Sequence, residues 1–305
     1  MTESTTPSPG SSLALRVERI EAQPLRELGD KSGLVTGTKR AFVDVWNRRE
    51  LLRLLINREL KARYKDSNLG FVWSLFKPLS QLLIYFIVIG QFLGAARGIP
   101  SFAIFVFTGL TAWGFFLEAV TGGTGSIVAN SGLVKKVYLP REIFPLSTLG
   151  TSAVNSAIQL AILLGAILVT GSIPSAAQLA YLPFALIVLV VYAALFGLLL
   201  SALNVYMRDI QHLIEVITFL AFWASPIVYS FSDFWNPIAH EIYLSNPVTL
   251  AILGFQKSLW AAGVDQPYPS HLMIRLVLAA LVGVVLIFGA HRVFARLEGN
   301  FAQEL

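Results

Sequence analysis

The sequence contains no cysteine. That excludes a disulfide framework, a zinc–thiolate site and a thiol nucleophile. Charge is also scarce. Only 13% of its 305 residues are Asp, Glu, Lys or Arg, against about 25% in an ordinary soluble domain. With 55% of residues hydrophobic, the chain has too little polar surface to cover itself in water, and it reads as an integral membrane protein. No G-x-x-x-x-G-K-[ST] pattern occurs, so a P-loop ATP site is excluded. H-E-x-x-H and G-x-S-x-G are absent too. TGGTGS at 121–126 is rich in glycine but lacks the lysine and follows no strand, which argues against a phosphate cradle. His212, His240, His271 and His291 are scattered, so no metal centre is expected. No catalytic group and no nucleic-acid partner are expected either.

What the chain does have is long uncharged stretches, each near the ~20 residues that cross ~30 Å of hydrocarbon. Pro78–Ala96 is the first. Gly98–Val134 is interrupted only by Glu118, and its part up to about Thr121 reads as the second. Glu118 lies near the cytosolic end of that span, where packing or snorkelling is favoured over a proton relay. Ile143–Met207 carries no charge over its 65 residues, and GSIPSAAQ at 171–178 divides it into spans three and four. Val216–Ser232 is a short fifth span containing proline, and Leu272–Ala290 is a sixth. No secretory signal peptide is expected, because the first apolar span follows a long charged stretch.

Six spans put both termini on one side. That side collects 20 Lys/Arg against 3 on the other, so the termini are expected in the cytoplasm. Residues 1–46 read as a mobile cytosolic tail. NRRELLRLLINRELKARYKD at 47–66 repeats Leu52, Ile56, Leu60 and Tyr64 every four positions among many basic residues. It reads as an amphipathic helix along the membrane surface, with Glu59 and Arg63 falling awkwardly near its apolar row. Residues 47–70 form this helix and its following loop, and 71–305 form the six-span domain. The expected fold is therefore an all-α membrane protein with six transmembrane helices, preceded by that helix.

At 100° per residue the spans present distinct faces. Lys77, Gln81, Tyr85 and Phe92 share one in the first span. Phe102, Phe105, Trp113 and Phe116 share one in the second. Ser152, Asn155, Ser156 and Gln159 share one in the third, with the small row Ala153, Ala157, Ala161 and Gly165 roughly opposite. Polar stripes in lipid must meet protein or water. Amides, hydroxyls and rings along a wet path suit sugars. The same residues would equally serve bonding and packing between helices.

Four segments together resemble the permease subunits of ABC exporters for polysaccharides of the O-antigen, teichoic-acid and galactan type. They are RELKARYKDSNLGFVWSLFKPL (58–79), NSGLVKKVYLPREIFPL (130–146), NVYMRDIQHLIEVITFLAFWASPIVYS (204–230) and SNPVTL (245–250). The resemblance covers roughly residues 45–305 and is similar in flavour to exporters of lipid-linked galactan. It implies a homodimer in the plasma membrane with a sugar channel between protomers. It implies two separate ATP-binding subunits, with Mg-ATP on those partners and no cofactor on this chain. It also implies a polymer carried on a polyprenyl pyrophosphate lipid. Substrate entry would fall to Ser67, Asn68 and Gly70, flanked by Lys65 and Lys77, since cations beside backbone amides suit a pyrophosphate. The channel would be lined by Gln81, Tyr85, Phe92, Phe102, Phe105, Trp113, Phe116, Asn155 and Gln159. Ser225-Pro226 would begin a short re-entrant segment that narrows the outer exit.

The polar island at 130–146 is then expected to seat a short coupling helix, Leu133–Leu139, in the ATPase. Pro140 would restart a helix with Arg141 and Glu142 in its first turn. Lys135, Lys136, Val137, Tyr138, Pro140, Arg141 and Glu142 would make this contact, and Arg208 and Asp209 a second one. Two other readings stand beside this one: a drug or lipid exporter of the same permease class, and a membrane-embedded lipid-linked sugar transferase. The transferase would need a catalytic cluster, and Asp233, Glu241 and Asp265 are too scattered to supply it. The expected outcome of replacing Val137–Pro140 is ATP hydrolysis uncoupled from export with membrane insertion intact. Loss of insertion, read by protease accessibility in membranes, would instead make the island a topology signal.

Overall fold

The computed structural model describes residues 34–64, 72–137, 139–231, 241 and 243–305. Among the described residues the chain is helical, with no strand. Helix α1 is Leu34–Asn47, α2 Arg49–Tyr64 and α3 Val72–Ile84, and α3 continues as a π-helix over Tyr85–Phe92. Helix α4 is Phe102–Ala129, α5 Ser131–Lys136, α6 Ile143–Thr170 and α7 Ala176–Leu179. Helix α8 is Tyr181–Tyr206, α9 Asp209–Trp223, α10 Pro247–Leu259, α11 Leu272–Leu297 and α12 Phe301–Glu304.

Four helical stretches, beginning at Phe102, Ile143, Ala176 and Leu272, are long and apolar enough to cross a membrane. They fall where spans two, three, four and six were expected. The break between α6 and α8 falls on GSIPSAAQ. Gly171 ends α6 in the left-handed region at φ 68°, where only glycine is at ease. Ser175 and Gln178 then form a reciprocal capping box that starts α7. The first expected span, Pro78–Ala96, is displaced towards the N-terminus, because the helix begins at Val72 and ends at Phe92. Of the expected fifth span, Val216–Ser232, only the first half is helical, as the end of α9, whose 15 residues rise only ~22 Å. Beyond Trp223 the chain turns inward, and Ser225, Pro226, Ile227 and Val228 are buried. Helix α10 is buried along nearly its whole length.

Helix α4 is the axis of the bundle, packed by α6, α8, α9 and α10. Such a helix must be apolar on every side, and that is why its aromatic rings do not sort into one exposed face. TGGTGS, in the last third of α4, is where α8 and α9 come close to it. A Cβ on Gly123 would stand 3.0 Å from the Gly197 Cα of α8, and one on Gly125 3.4 Å from the Gln211 amide of α9. The motif is a packing node, in keeping with the enrichment of small residues at membrane helix contacts.

Helices α2, α5 and α12 and the end of α8 gather at one end of the bundle. A second apolar cluster forms there around Leu55, Ile127, Phe144, Val205, Phe294 and Phe301. Helix α1 lies within the stretch expected to be a tail. It packs on α11, where Thr38 meets His291, and its Val45 is buried.

Glycine to alanine inside a helix ordinarily gains up to about 1 kcal/mol. At Gly123 the added methyl collides with backbone, so Gly123→Ala is expected to cost about 1–3 kcal/mol. Thermal unfolding in detergent should show a lowered Tm for Gly123→Ala. Gly289→Ala, where a Cβ meets nothing within 4 Å, should be neutral or stabilising.

Candidate functional site

The two charges that spoiled the apolar row of α2 are what fasten it to the bundle. Ile56 packs directly on the bare backbone of Gly150 in α6, and Leu55 beside it is buried. One turn on, the two Glu59 carboxylate oxygens accept from the hydroxyls of Ser147 at 2.8 Å and Thr151 at 2.9 Å. A further turn on, the Arg63 guanidinium pairs with Glu118 of α4. Glu118 also accepts from Asn155 Nδ2 of α6 at 2.6 Å. Earlier on α2, Arg58 donates to Asn130 at the end of α4. Residues Ile56, Glu59 and Arg63 lie three and four apart, one stripe of a helix. The helix is therefore laid into a groove that is polar at its floor. Asn155 is buried, and its Oδ1 has no partner among the described residues. Glu118 sits ~24 Å along α4 from Phe102, close to the boundary of the hydrocarbon, as a group held by packing and pairing.

Of the expected entry residues, Lys65, Ser67, Asn68 and Gly70 lie outside the described residues, and Lys77 is exposed on α3. Gln81 and Tyr85 are half-buried, and the Tyr85 ring stacks on Phe222 of α9 at 5.8 Å. Phe92 is exposed at the end of the π-helix. Phe102, Phe105, Trp113 and Phe116 are buried inside the protomer. Phe105 meets Trp260 at 4.8 Å, Trp113 meets Phe222 at 6.0 Å, and Phe116 meets Phe196 at 6.1 Å. Within one protomer these four side chains are core, because α4 is enclosed on all sides. Gln159 is half-buried, its amide facing Gly114.

The polar island divides into two parts. Its helix is Ser131–Lys136, shorter than Leu133–Leu139, because Val137 is extended and Leu139 precedes a proline, which disfavours helical backbone. Lys135, Lys136 and Val137 are exposed, and Tyr138 lies outside the described residues. Pro140 stands before the turn, and α6 starts only at Ile143, so Arg141 and Glu142 sit in the turn rather than inside the helix. Both point into the protein. The Arg141 guanidinium donates to the Glu298 carbonyl and lies 5.6 Å over the Phe301 ring. Glu142 is buried, with its Oε1 3.3 Å from His291 Nε2. The other ring nitrogen of His291 is 3.0 Å from the Thr38 hydroxyl of α1. His291, Thr38 and Glu298 were not legible as partners, since each is remote in sequence from Glu142. Arg208 and Asp209 are exposed at the α8–α9 turn, next to Tyr206, whose hydroxyl donates to the Leu297 carbonyl at 2.8 Å.

On the opposite end of the bundle the inward-turning segment after α9 is held by α10 and α4. Gln256 Nε2 of α10 donates to the Pro226 carbonyl at 2.5 Å; at the same end Trp260 Nε1 ties α10 to the residue before α4 by donating to the Pro100 carbonyl at 2.7 Å. Ile227 packs against Gly109 of α4. A polar carbonyl deep among apolar helices is thereby satisfied.

Residues 50–260 match the ABC-2 type transporter family, so the chain belongs to that family. It is similar to the O-antigen export system permease protein RfbA of Myxococcus xanthus, 28% identical over 267 residues, covering 87% of this chain and 99% of that protein. An RfbA permease of Klebsiella pneumoniae is 28% identical over 256 residues, covering 84% and 95%. The polysialic acid transport protein KpsM of Escherichia coli is 22% identical over 209 residues, covering 64% and 80%.

Glu298 follows α11, ~39 Å from its start and so beyond the ~30 Å hydrocarbon. Burial pushes its carboxyl from 4.5 up to about 7. The Glu142 charge adds to that push, and Arg141 and His291 oppose it. A raised carboxyl means the folded protein holds its proton more tightly than the unfolded chain. Stability is then lost as pH rises from about 4.5 towards 7. Glu298→Gln should therefore raise Tm at pH 8 relative to the parent, and the gain should vanish near pH 5. A gain of equal size at both pH values would contradict this assignment.

Proposed function

We propose that this member of the ABC-2 type transporter family is the membrane-spanning permease subunit of a polysaccharide exporter. The observation that carries the reading is its similarity, over nearly the full length of both chains, to O-antigen export permeases. The chain does no chemistry of its own. ATP is hydrolysed, as Mg-ATP, on two copies of a separate subunit, and the permease acts as a homodimer in the plasma membrane with both termini cytoplasmic. Its cargo is a polysaccharide on a polyprenyl pyrophosphate carrier, galactan or O-antigen-like.

Six spans complete the topology, with α3 and its π-helix as the first and α9 as the fifth. The buried segment after Trp223 and α10 form the re-entrant element of the outer side. The surface offered to the ATP-binding subunit comprises Lys135, Lys136 and Val137 of the α5 turn with Arg208 and Asp209 of the α8–α9 turn. Their exposure supports that role. Arg141 and Glu142 act behind this surface, by tying the turn to α11. Helix α2 joins the cytosolic ends of α4 and α6 and leads directly into the entry loop, Lys65 to Gly70. A push on α2 therefore reaches the helices of the transport path.

Co-reconstitution with the ATP-binding subunit in proteoliposomes tests this. Lipid-linked polysaccharide should stimulate ATP hydrolysis and appear across the bilayer. Hydrolysis indifferent to the polymer, with no polymer crossing, would overturn the proposal.

A further inference from the structure

Helices α1 and α2 form one bent, nearly continuous rod. The Arg48 N–H still donates to the Asp44 carbonyl at 3.2 Å, and the Leu52 N–H to the Arg48 carbonyl at 3.1 Å. Two contacts fix the height of this rod. Thr38 of α1 meets His291, about 29 Å along α11 from Leu272 at 1.5 Å per residue. Ile56 of α2 meets Gly150, about 30 Å back along α6 from Thr170. Both distances equal the ~30 Å thickness of the hydrocarbon layer. The rod thus lies at the level where acyl chains give way to headgroups.

Its inner side is occupied by the bundle through Val45, Leu55, Ile56 and Glu59. Its outer side carries a row that no other described residue covers. Val43, Trp46, Arg49 and Arg53 follow one another three or four positions apart, Leu54 stands beside Arg53, and all five are exposed. Trp46 is 64% and Leu54 65% exposed, large apolar groups that water would not favour. Across residues 34–64 there are eight Lys/Arg against three Asp/Glu. One of the three, Glu59, is turned inward. Of the other two, Asp44 is exposed, and Glu50 stands 4.0 Å from Arg53. Apolar rings set among arginines at this depth match the composition of interfacial helices. Trp73, at the start of α3, is also 52% exposed at this end of the bundle.

We propose that the outer row of α1–α2 is a docking surface for anionic phospholipid headgroups of the leaflet in which the rod lies, with Trp46 as its apolar anchor and Arg49 and Arg53 as its charge contacts. The inference rests on membrane embedding alone and stands apart from the identity of the exported cargo. Anionic lipid on this row would hold α2 in its groove over Glu118 and Ser147, so that lipid composition sets how firmly the interface helix is seated.

The test uses the full-length protein in nanodiscs of phosphatidylcholine, with or without phosphatidylglycerol, brominated near the headgroup end of the acyl chains. The emission lost in Trp46→Phe isolates the Trp46 signal. That signal should be quenched, more strongly with phosphatidylglycerol, and the preference should weaken at high salt. Arg49→Gln and Arg53→Gln should each reduce the preference about fivefold. Because both side chains are exposed, each variant should keep the parent's Tm. Three results overturn the proposal. One is a Trp46 signal unquenched in both membranes. Another is quenching indifferent to phosphatidylglycerol, salt and both arginines. The third is protection of Trp46 only when the ATP-binding subunit is added, which would make the row a protein contact.

Discussion

Hydrocarbon offers no water to a polar group, and the arrangement of this protein follows from that constraint. Inside α4 the hydroxyls of Thr108, Thr111, Thr121 and Thr124 each donate back to the carbonyl one turn earlier, at 2.7–2.8 Å. They ask nothing of neighbouring helices. Charged groups are pushed to the ends, where three carboxylates find counterparts on other elements: Glu59 with Ser147 and Thr151, Glu118 with Arg63 and Asn155, Glu142 with His291. The pairs that remove charge from lipid are therefore the same pairs that hold the surface helices to the bundle. Bonds of this kind are strong when complete and costly when one partner is lost, so the positions of α1 and α2 are specified as well as stabilised.

With polar groups confined to the ends, the middle is held by contact alone. Lipid is as apolar as leucine, so membrane helices associate through close packing. Gly123 against Gly197 brings two backbones together in the last third of α4. Aromatic contacts around Phe105, Trp113 and Phe116 fill its first two-thirds. The inward turn after α9 reaches this packed column through Ile227 and is fixed to α10 by a single side-chain amide. The central column is thus continuous from the α5 turn to the segment at the opposite end.

The long apolar runs and the GSIPSAAQ break were readable directly, because span length and turn chemistry are local properties. So was the existence of α2, from its four-residue repeat. Other features depend on what lies opposite, which a single sequence does not contain. The aromatic row of α4 looks like one face until α6, α8, α9 and α10 enclose every face. Arg141 and Glu142 read as helix-start residues exposed to a partner until His291 and Phe301 arrive from the far end of the chain. Helix α1 is amphipathic, but the α11 surface it packs on lies far along the chain. Glu59 and Arg63 were visible as misfits in the apolar row, and that misfit was the one signal of the polar groove beneath them.

The π-helix from Tyr85 to Phe92 alters how its span can be read and how it can vary. Bonds from i to i+5 place an extra residue in each turn, so the 100° rule that groups Lys77 with Gln81 does not carry through to Phe92. Gly90, beneath the Phe102 ring, keeps the wide turns close to α4. A stretch wound this way is a reservoir of length. Removing one residue from it can tighten the winding towards α-helix while Pro78 and Gly90 keep their neighbours. Insertions and deletions, which in most membrane helices would rotate everything beyond them, have in this span a place to be absorbed.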